Sequence, residues 1–248
     1  MLAMVALVVL GLDSLAADPA FADSLAAADT LFVHVQYEEA RSHYEALLER
    51  SPRHPDILWR MARLYVSMGD ILPREEREPV YRTAEQYARR AIVADSLRSE
   101  GHTWLAAALG NLAMVVSTEK KVQLVREIEQ ELQTAVHLNP RDDVAYSILG
   151  SFYRALGNVS WIERALANIF LGGIPSGGYE ESEQAIRRAI EIAPNVLRHQ
   201  FELALLYLDW GKEEEAKAAL ERAATLPVLV ASDRPTHERI SELLATLE

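Results

Sequence analysis

Residues Gln200 to Pro227 read QFELALLYLDWGKEEEAKAALERAATLP. Leu203, Ala204 and Tyr207 recur at helical spacing, and Ala216, Leu220 and Ala223 do the same after a short break. Gly211 stands in that break, where a helix end favours a residue free to take positive φ. Pro227 closes the unit, because proline cannot continue a helix. The stretch therefore predicts two amphipathic helices joined by one tight turn. Small Ala204 and Ala216 let the two helices approach closely, and Tyr207 and Leu220 fill the space beside them. The pattern resembles the tetratricopeptide helical hairpin.

Used as a ruler, this unit finds four more copies. The first runs from Ser24 to Pro52 with Ala28, Leu31, Ala40, Tyr44 and Leu47 at matching offsets. The second has Leu58, Met61, Ala62 and Tyr65, then Ala84, Ala88 and Ala91. The third has Leu105, Ala106 and Leu109, then Ile128, Leu132, Ala135 and Pro140. The fourth has Tyr146, Leu149, Gly150 and Tyr153, then Ser182, Ile186, Ala189 and Pro194. The small residue of each first helix, Ala28, Ala62, Ala106, Gly150 and Ala204, recurs at spacings of 34, 44, 44 and 54. Repeats two to four thus carry insertions between their helices. Ile71 to Pro79, charged and with two prolines, predicts a solvated loop. Ser117 to Arg126 has apolar residues at helical spacing and predicts an N-terminal extension of the helix that follows. Residues 158–178 hold the largest insertion, with an amphipathic helix over SWIERALANIFLGG and a Gly-rich loop, GGIPSGG. After Ser232 or Asp233 as N-cap, Thr236 to Leu247 predicts a last helix that covers the open end of the stack. The fold expected is all-α: a tetratricopeptide-like right-handed α-solenoid of five helical hairpins over 22–248, with an inserted helix and a C-terminal capping helix.

Half of the 248 residues are hydrophobic but only 7% are aromatic, and the formal net charge is −12. Phosphate backbones need clustered Lys and Arg, so this balance excludes nucleic acid as the expected partner. Cysteine is absent, so no disulfide and no thiolate metal site exists. Met1 to Leu12 is an unbroken apolar run followed by Asp13, Ser14, Leu15, Ala16 and Ala17. Its length suits a signal-peptide core and falls short of the ~20 residues of a membrane span. A basic n-region is missing, since the first Lys or Arg is Arg41. Residues 1–17 are read as a signal or anchor segment, which places the chain in a periplasm, exported or tethered at a membrane. A buried or frayed N-terminal helix is the alternative.

From Leu58 to the C-terminus the chain resembles the regulator of microtubule dynamics protein family. Its most specific carrier is Ile148 to Glu181, ILGSFYRALGNVSWIERALANIFLGGIPSGGYEE. That family interrupts a tetratricopeptide-like repeat there with a Trp-containing helix and a Gly/Pro loop before a Tyr-Glu-Glu helix start. LWRMARLY and HTWLAAALG match its earlier first helices. The resemblance implies a repeat protein that is exported or anchored in bacteria and tied to microtubules and organelle membranes in eukaryotes. Tubulin surfaces are acidic, so the charge of this chain opposes direct microtubule binding.

No residue pattern for catalysis, a cofactor or a metal emerges. His34, His43, His54, His102, His137, His199 and His237 form no HExxH motif and no carboxylate pairing at ligand spacing. GGIPSGG lacks the Lys-Ser or Lys-Thr of a phosphate loop and reads as a flexible turn. Asn158-Val159-Ser160 matches a glycosylation sequon inside the insertion. Trp161 reads as an anchor for the inserted helix, or else as a ligand-stacking residue. The candidate site is the concave face lined by first helices, where the register exposes Trp59, Arg63, Thr103, Asn111, Ser147, Ser151, Arg154, Arg198, Phe201 and Leu205. Arginine offers a planar fork for carboxylates, and the aromatics offer apolar pockets. A protein or peptide carrying an acidic group or a free C-terminus fits such a face. The competing reading pairs these arginines with local acids such as Asp56 or Glu202. The function expected is a non-enzymatic interaction scaffold. The alternative is a carrier of a lipid-like apolar ligand, with the inserted helix closing the groove.

Overall fold

A computed structural model describes residues 19–170, 172–231 and 233–247, apart from the side chains of Trp161 and Phe170. The signal or anchor reading of residues 1–17 and the Ser232 cap fall outside the described residues, as does the role of the Trp161 side chain. Twelve α-helices and no strand occur among them. They are α1 (Pro19–Val33), α2 (Tyr37–Arg50), α3 (Pro55–Asp70), α4 (Arg74–Ala94), α5 (Ser99–Val115) and α6 (Thr118–Leu138). They continue as α7 (Asp143–Gly157), α8 (Trp161–Phe170), α9 (Tyr179–Ile192), α10 (Leu197–Asp209), α11 (Glu213–Ala224) and α12 (Asp233–Thr246).

Five antiparallel hairpins, α1/α2, α3/α4, α5/α6, α7/α9 and α10/α11, stack in chain order as a helical solenoid, and α12 packs on α11 and α10 as the cap. The register places Ala28, Ala62, Ala106, Gly150 and Ala204 at the helix crossings, and all five are buried. Gly150 shows how tight a crossing is. A Cβ built there would collide with Ile186 Cγ1 of α9, and the Ser182 hydroxyl donates to its carbonyl at 2.7 Å.

Seven residues after the small residue, hairpins two and four use glycine again, at Gly69 and Gly157. Tyr81 and Tyr179 of the second helices lie across these glycines. Each tyrosine hydroxyl then donates to the next side chain, Tyr81 to Asp70 at 2.9 Å and Tyr179 to Asn158 at 2.6 Å. In the fifth hairpin the same register position is Gly211, at φ 74°, where Lys212 N–H donates to the Tyr207 carbonyl. The first hairpin makes this turn with Val35 at φ 62° and Gln36 N–H on the Leu31 carbonyl. That region costs a β-branched residue about 1–2 kcal/mol, and packing of Val35 on the first core offsets it.

Two insertions match their sequence reading. Residues 118–126 extend α6, and α8 occupies the largest insertion. Ile71 to Pro79 differs, because α4 begins at Arg74 and Pro79 lies inside it. Glu75 and Glu76 in the first turn complement the helix dipole, and Arg77 Nε donates to the Leu72 carbonyl at 2.8 Å. These contacts outweigh the one ladder hydrogen bond that Pro79 cannot make. The stack also curls far enough to join its ends: Ala231 N–H, in the segment before α12, donates to the Val33 carbonyl at the end of α1, 3.1 Å away.

Gly150→Ala and Ala106→Leu should each lower stability by about 1–3 kcal/mol, as overpacking of a filled interior does. Chemical denaturation measures this, and an unchanged midpoint would refute the assigned crossings.

Candidate functional site

The concave face is built from α1, α3, α5, α7 and α10, and its charges are arranged in three groups. At the first hairpin, Asp29 of α1 accepts from Tyr44 of α2 at 2.6 Å, from Arg60 Nε at 2.8 Å and from Arg63 Nη2 at 2.7 Å. The Arg63 guanidinium lies over the Phe32 ring at 3.9 Å and near the Trp59 ring at 5.3 Å. Burial pushes the Asp29 carboxyl up, but the Tyr44 hydrogen bond and the two guanidinium groups outweigh it and hold the carboxyl below the ordinary range. Arg63 therefore ties three helices together. Its acid is Asp29, not Asp56, which pairs instead with Arg98 at 2.5 Å.

In the middle of the face, Asn111 of α5 donates to Asp70 at 2.9 Å beside the Tyr81 hydroxyl. Asp70 is open to water at the lip of the groove, yet protein crowds its carboxyl from several sides. That desolvation raises its pKa against the opposing effects of Tyr81, Arg198, Arg77 and Asn111. Arg198 belongs to α10, so its field reaches Asp70 of α3 across the groove.

At the far end, Arg154 pairs with Glu202 at 3.2 Å and with Asp209 at 3.3 Å. Ser151 donates to Glu202 at 2.9 Å, and Asn158 donates to Asp209 at 2.9 Å. Both ends of the sequon amide are thus engaged, one by Asp209 and one by Tyr179. Arg198 lies 3.9 Å from Glu202 and stays 67% exposed. Phe201 and Leu205 are half-buried beside this group.

The register expectation needs correction at Thr103 and Ser147, which are 1% and 2% exposed. Both occupy the register position of Trp59 and Phe201, three residues before the small residue. The long aromatic side chains reach the groove from there, whereas the short hydroxyls stop between neighbouring first helices. Thr103 donates to Asp142 at 2.9 Å. Histidine–carboxylate pairs also form without a sequence signal, His102 with Glu131 and His199 Nε2 with Asp143 at 2.8 Å. Ser147 Oγ and His199 Nδ1 are buried and each lacks a hydrogen-bond partner among the described residues. They make no hydrogen bond to one another. No group of three or more His, Cys, Asp or Glu side chains is placed to hold a metal among the described residues.

The inserted helix α8 is mounted by polar contacts. Ser160 and Glu163 cap it reciprocally. Arg164 donates to the Pro175 carbonyl at 2.9 Å and the Leu156 carbonyl at 3.0 Å. Arg126 of α6 reaches the carbonyls of Gly172 and Gly173 in the loop that follows. Ile162, Leu166 and Ile169, spaced along one stripe, remain 52%, 49% and 71% exposed.

Residues 24–248 match the family described as regulator of microtubule dynamics protein 1-3. The match takes in the first hairpin, ahead of Leu58. Regulator of microtubule dynamics protein 2 of Rattus norvegicus is 23% identical, with 87% of this chain and 54% of the relative covered. Protein 3 of Xenopus laevis is 27% identical, with 85% and 47% covered. The chain spans about half the length of these two relatives. A solved thermophilic TPR protein of Thermus thermophilus superposes with a TM-score of 0.70 at 20% identity, covering 90% of this chain and 98% of that one. That likeness establishes the tetratricopeptide-type solenoid.

Because the Arg198 guanidinium lowers the Asp70 pKa across the groove, Arg198→Gln should raise it further while leaving the melting temperature unchanged. Carboxyl-carbon NMR titration reads this directly, and an unmoved Asp70 would show that the two residues do not face one another.

Proposed function

We propose that this chain, which belongs to the regulator of microtubule dynamics protein family, serves as a non-enzymatic scaffold that receives a segment of a protein partner along the concave face of the solenoid. The observation that carries this reading is the far end of that face. Arg198 is a mostly exposed guanidinium, flanked by Phe201 and Leu205, in a chain of net charge −12. Arg63 and Arg154 are committed to Asp29, Glu202 and Asp209, so they shape the groove. Arg198 takes the acidic group of the partner, and Phe201 takes the apolar residue next to it. Trp59, Asn111 and Ser151 line the remainder. The partner is a protein other than the microtubule lattice, whose acidic surface the chain repels. The apolar run Met1 to Leu12 supports an exported or membrane-tethered location. No described helix is long and apolar enough to cross a membrane.

A second reading rests on a separate observation. The exposed stripe Ile162, Leu166 and Ile169 of α8 would suit a carrier that closes this helix over a lipid-like ligand.

Affinity capture from the source organism should retain proteins on the native chain that are lost on Arg198→Gln/Phe201→Ala, and added salt should release them. Retention of the same proteins by the variant would refute the groove as the site. Lipid recovered at near one-to-one from the purified protein, with no such protein retained, would establish the carrier instead.

A further inference from the structure

Away from the concave face, the α2–α3 turn and the last turns of α4 enclose a half-open groove of about 570 Å3. Pro52, Leu58, Val93 and Ala94 give it an apolar floor, and Arg53, Arg89 and Arg90 stand around it. Its volume lies within the ~300–1,000 Å3 usual for ligand sites. Val93 is 88% exposed at the groove's edge.

Two of the three arginines around this groove make no ion pair among the described residues. Arg89 is neutralised by Glu85 and Glu127, at 2.9 and 2.7 Å. Arg90 donates to the Pro52 carbonyl at 3.2 Å and lies 5.0 Å from the Tyr87 ring, with no ion pair among the described residues. Arg53 is exposed and makes no ion pair among the described residues. Arg53 and Arg90 therefore present two guanidinium groups without such an ion pair beside one apolar floor.

We infer that this groove is a second, outer binding site for a peptide segment in which an aliphatic side chain sits beside an acidic one. The aliphatic side chain rests on Pro52, Val93 and Ala94, and the carboxylate meets Arg53 and Arg90. The open side of the groove decides between occupants. An acyl chain would leave one flank in water and lose much of its burial energy. A peptide keeps its backbone solvated there at little cost. The site lies at the junction of the first two hairpins and uses none of the groove residues assigned to the concave face, so either site can fail without the other.

The test uses the full chain, isotopically labelled, and an acetylated and amidated peptide Gly-Leu-Glu-Glu-Gly. Addition of this peptide should shift the Val93 and Ala94 amide signals, and the Gln-for-Glu version should bind about fivefold more weakly. Arg53→Gln/Arg90→Gln should cause the same loss, with the fold checked by circular dichroism. Val93→Ser, at an exposed position, should weaken both peptides alike. Equal affinity for the two peptides, or shifts confined to the concave face, would overturn the assignment. So would octanoate saturating the same amides more tightly than the peptide, because the occupant would then be a free aliphatic acid.

Discussion

Everything in this molecule depends on how closely the two helices of a hairpin approach. Ala28, Ala62, Ala106, Gly150 and Ala204 present almost no side chain at the crossings, and the partner helix fills the space. In hairpins two and four Tyr81 and Tyr179 also pack directly against Gly69 and Gly157. Interiors packed this densely transmit their geometry instead of absorbing it. Small, similar offsets between hairpins therefore add along the stack. Their sum is visible where Ala231 meets Val33 and the last linker touches the first hairpin.

The curl has an electrostatic consequence. As first helices converge on the concave side, charges far apart in sequence come within reach of one another. Arg63 finds Asp29, Arg154 finds Glu202 and Asp209, and Asp70 lies within the field of Arg198. Most of the groove charge is thereby engaged in holding neighbouring hairpins together. Removing one member of such a pair leaves the other partly desolvated, which costs more than an exposed pair contributes. Arg198 is different because it stays 67% exposed and its contact to Glu202 is long, 3.9 Å, so it can change partner without loss of fold.

The sequence made the hairpins legible because amphipathic spacing is a local property. Ala204, Tyr207 and Leu220 mark helix faces wherever the rest of the chain goes, and the same ruler located the α6 extension and α8. Pro79 misled because a breaker signal is also local, and it weighed more in the reading than the Glu-rich first turn of α4. The pairings are another matter. Arg63 and Asp29 are 34 residues apart, and only the packed register decides that Asp29, not the nearer Asp56, takes the guanidinium. Thr103 and Ser147 share a register position with Trp59 and Phe201, yet side-chain length alone separates the buried pair from the half-exposed one. The recurrence of a glycine followed by Asp70 or Asn158, each answered by a distant tyrosine, had a readable half in the repeat offsets. Its other half lies on a helix whose distance the insertions vary.

If tight hairpin crossings curl the stack until its ends meet, the segment before α12 lies beside the end of α1 in solution. The chain has no cysteine, so cysteines placed at His34 and Leu229, at the two joined ends, carry spin labels without background. Pulsed electron–electron distance measurement between them should give one narrow distribution at the short end of the measurable range. A broad distribution centred at long distance would show that the solenoid is open and its ends apart.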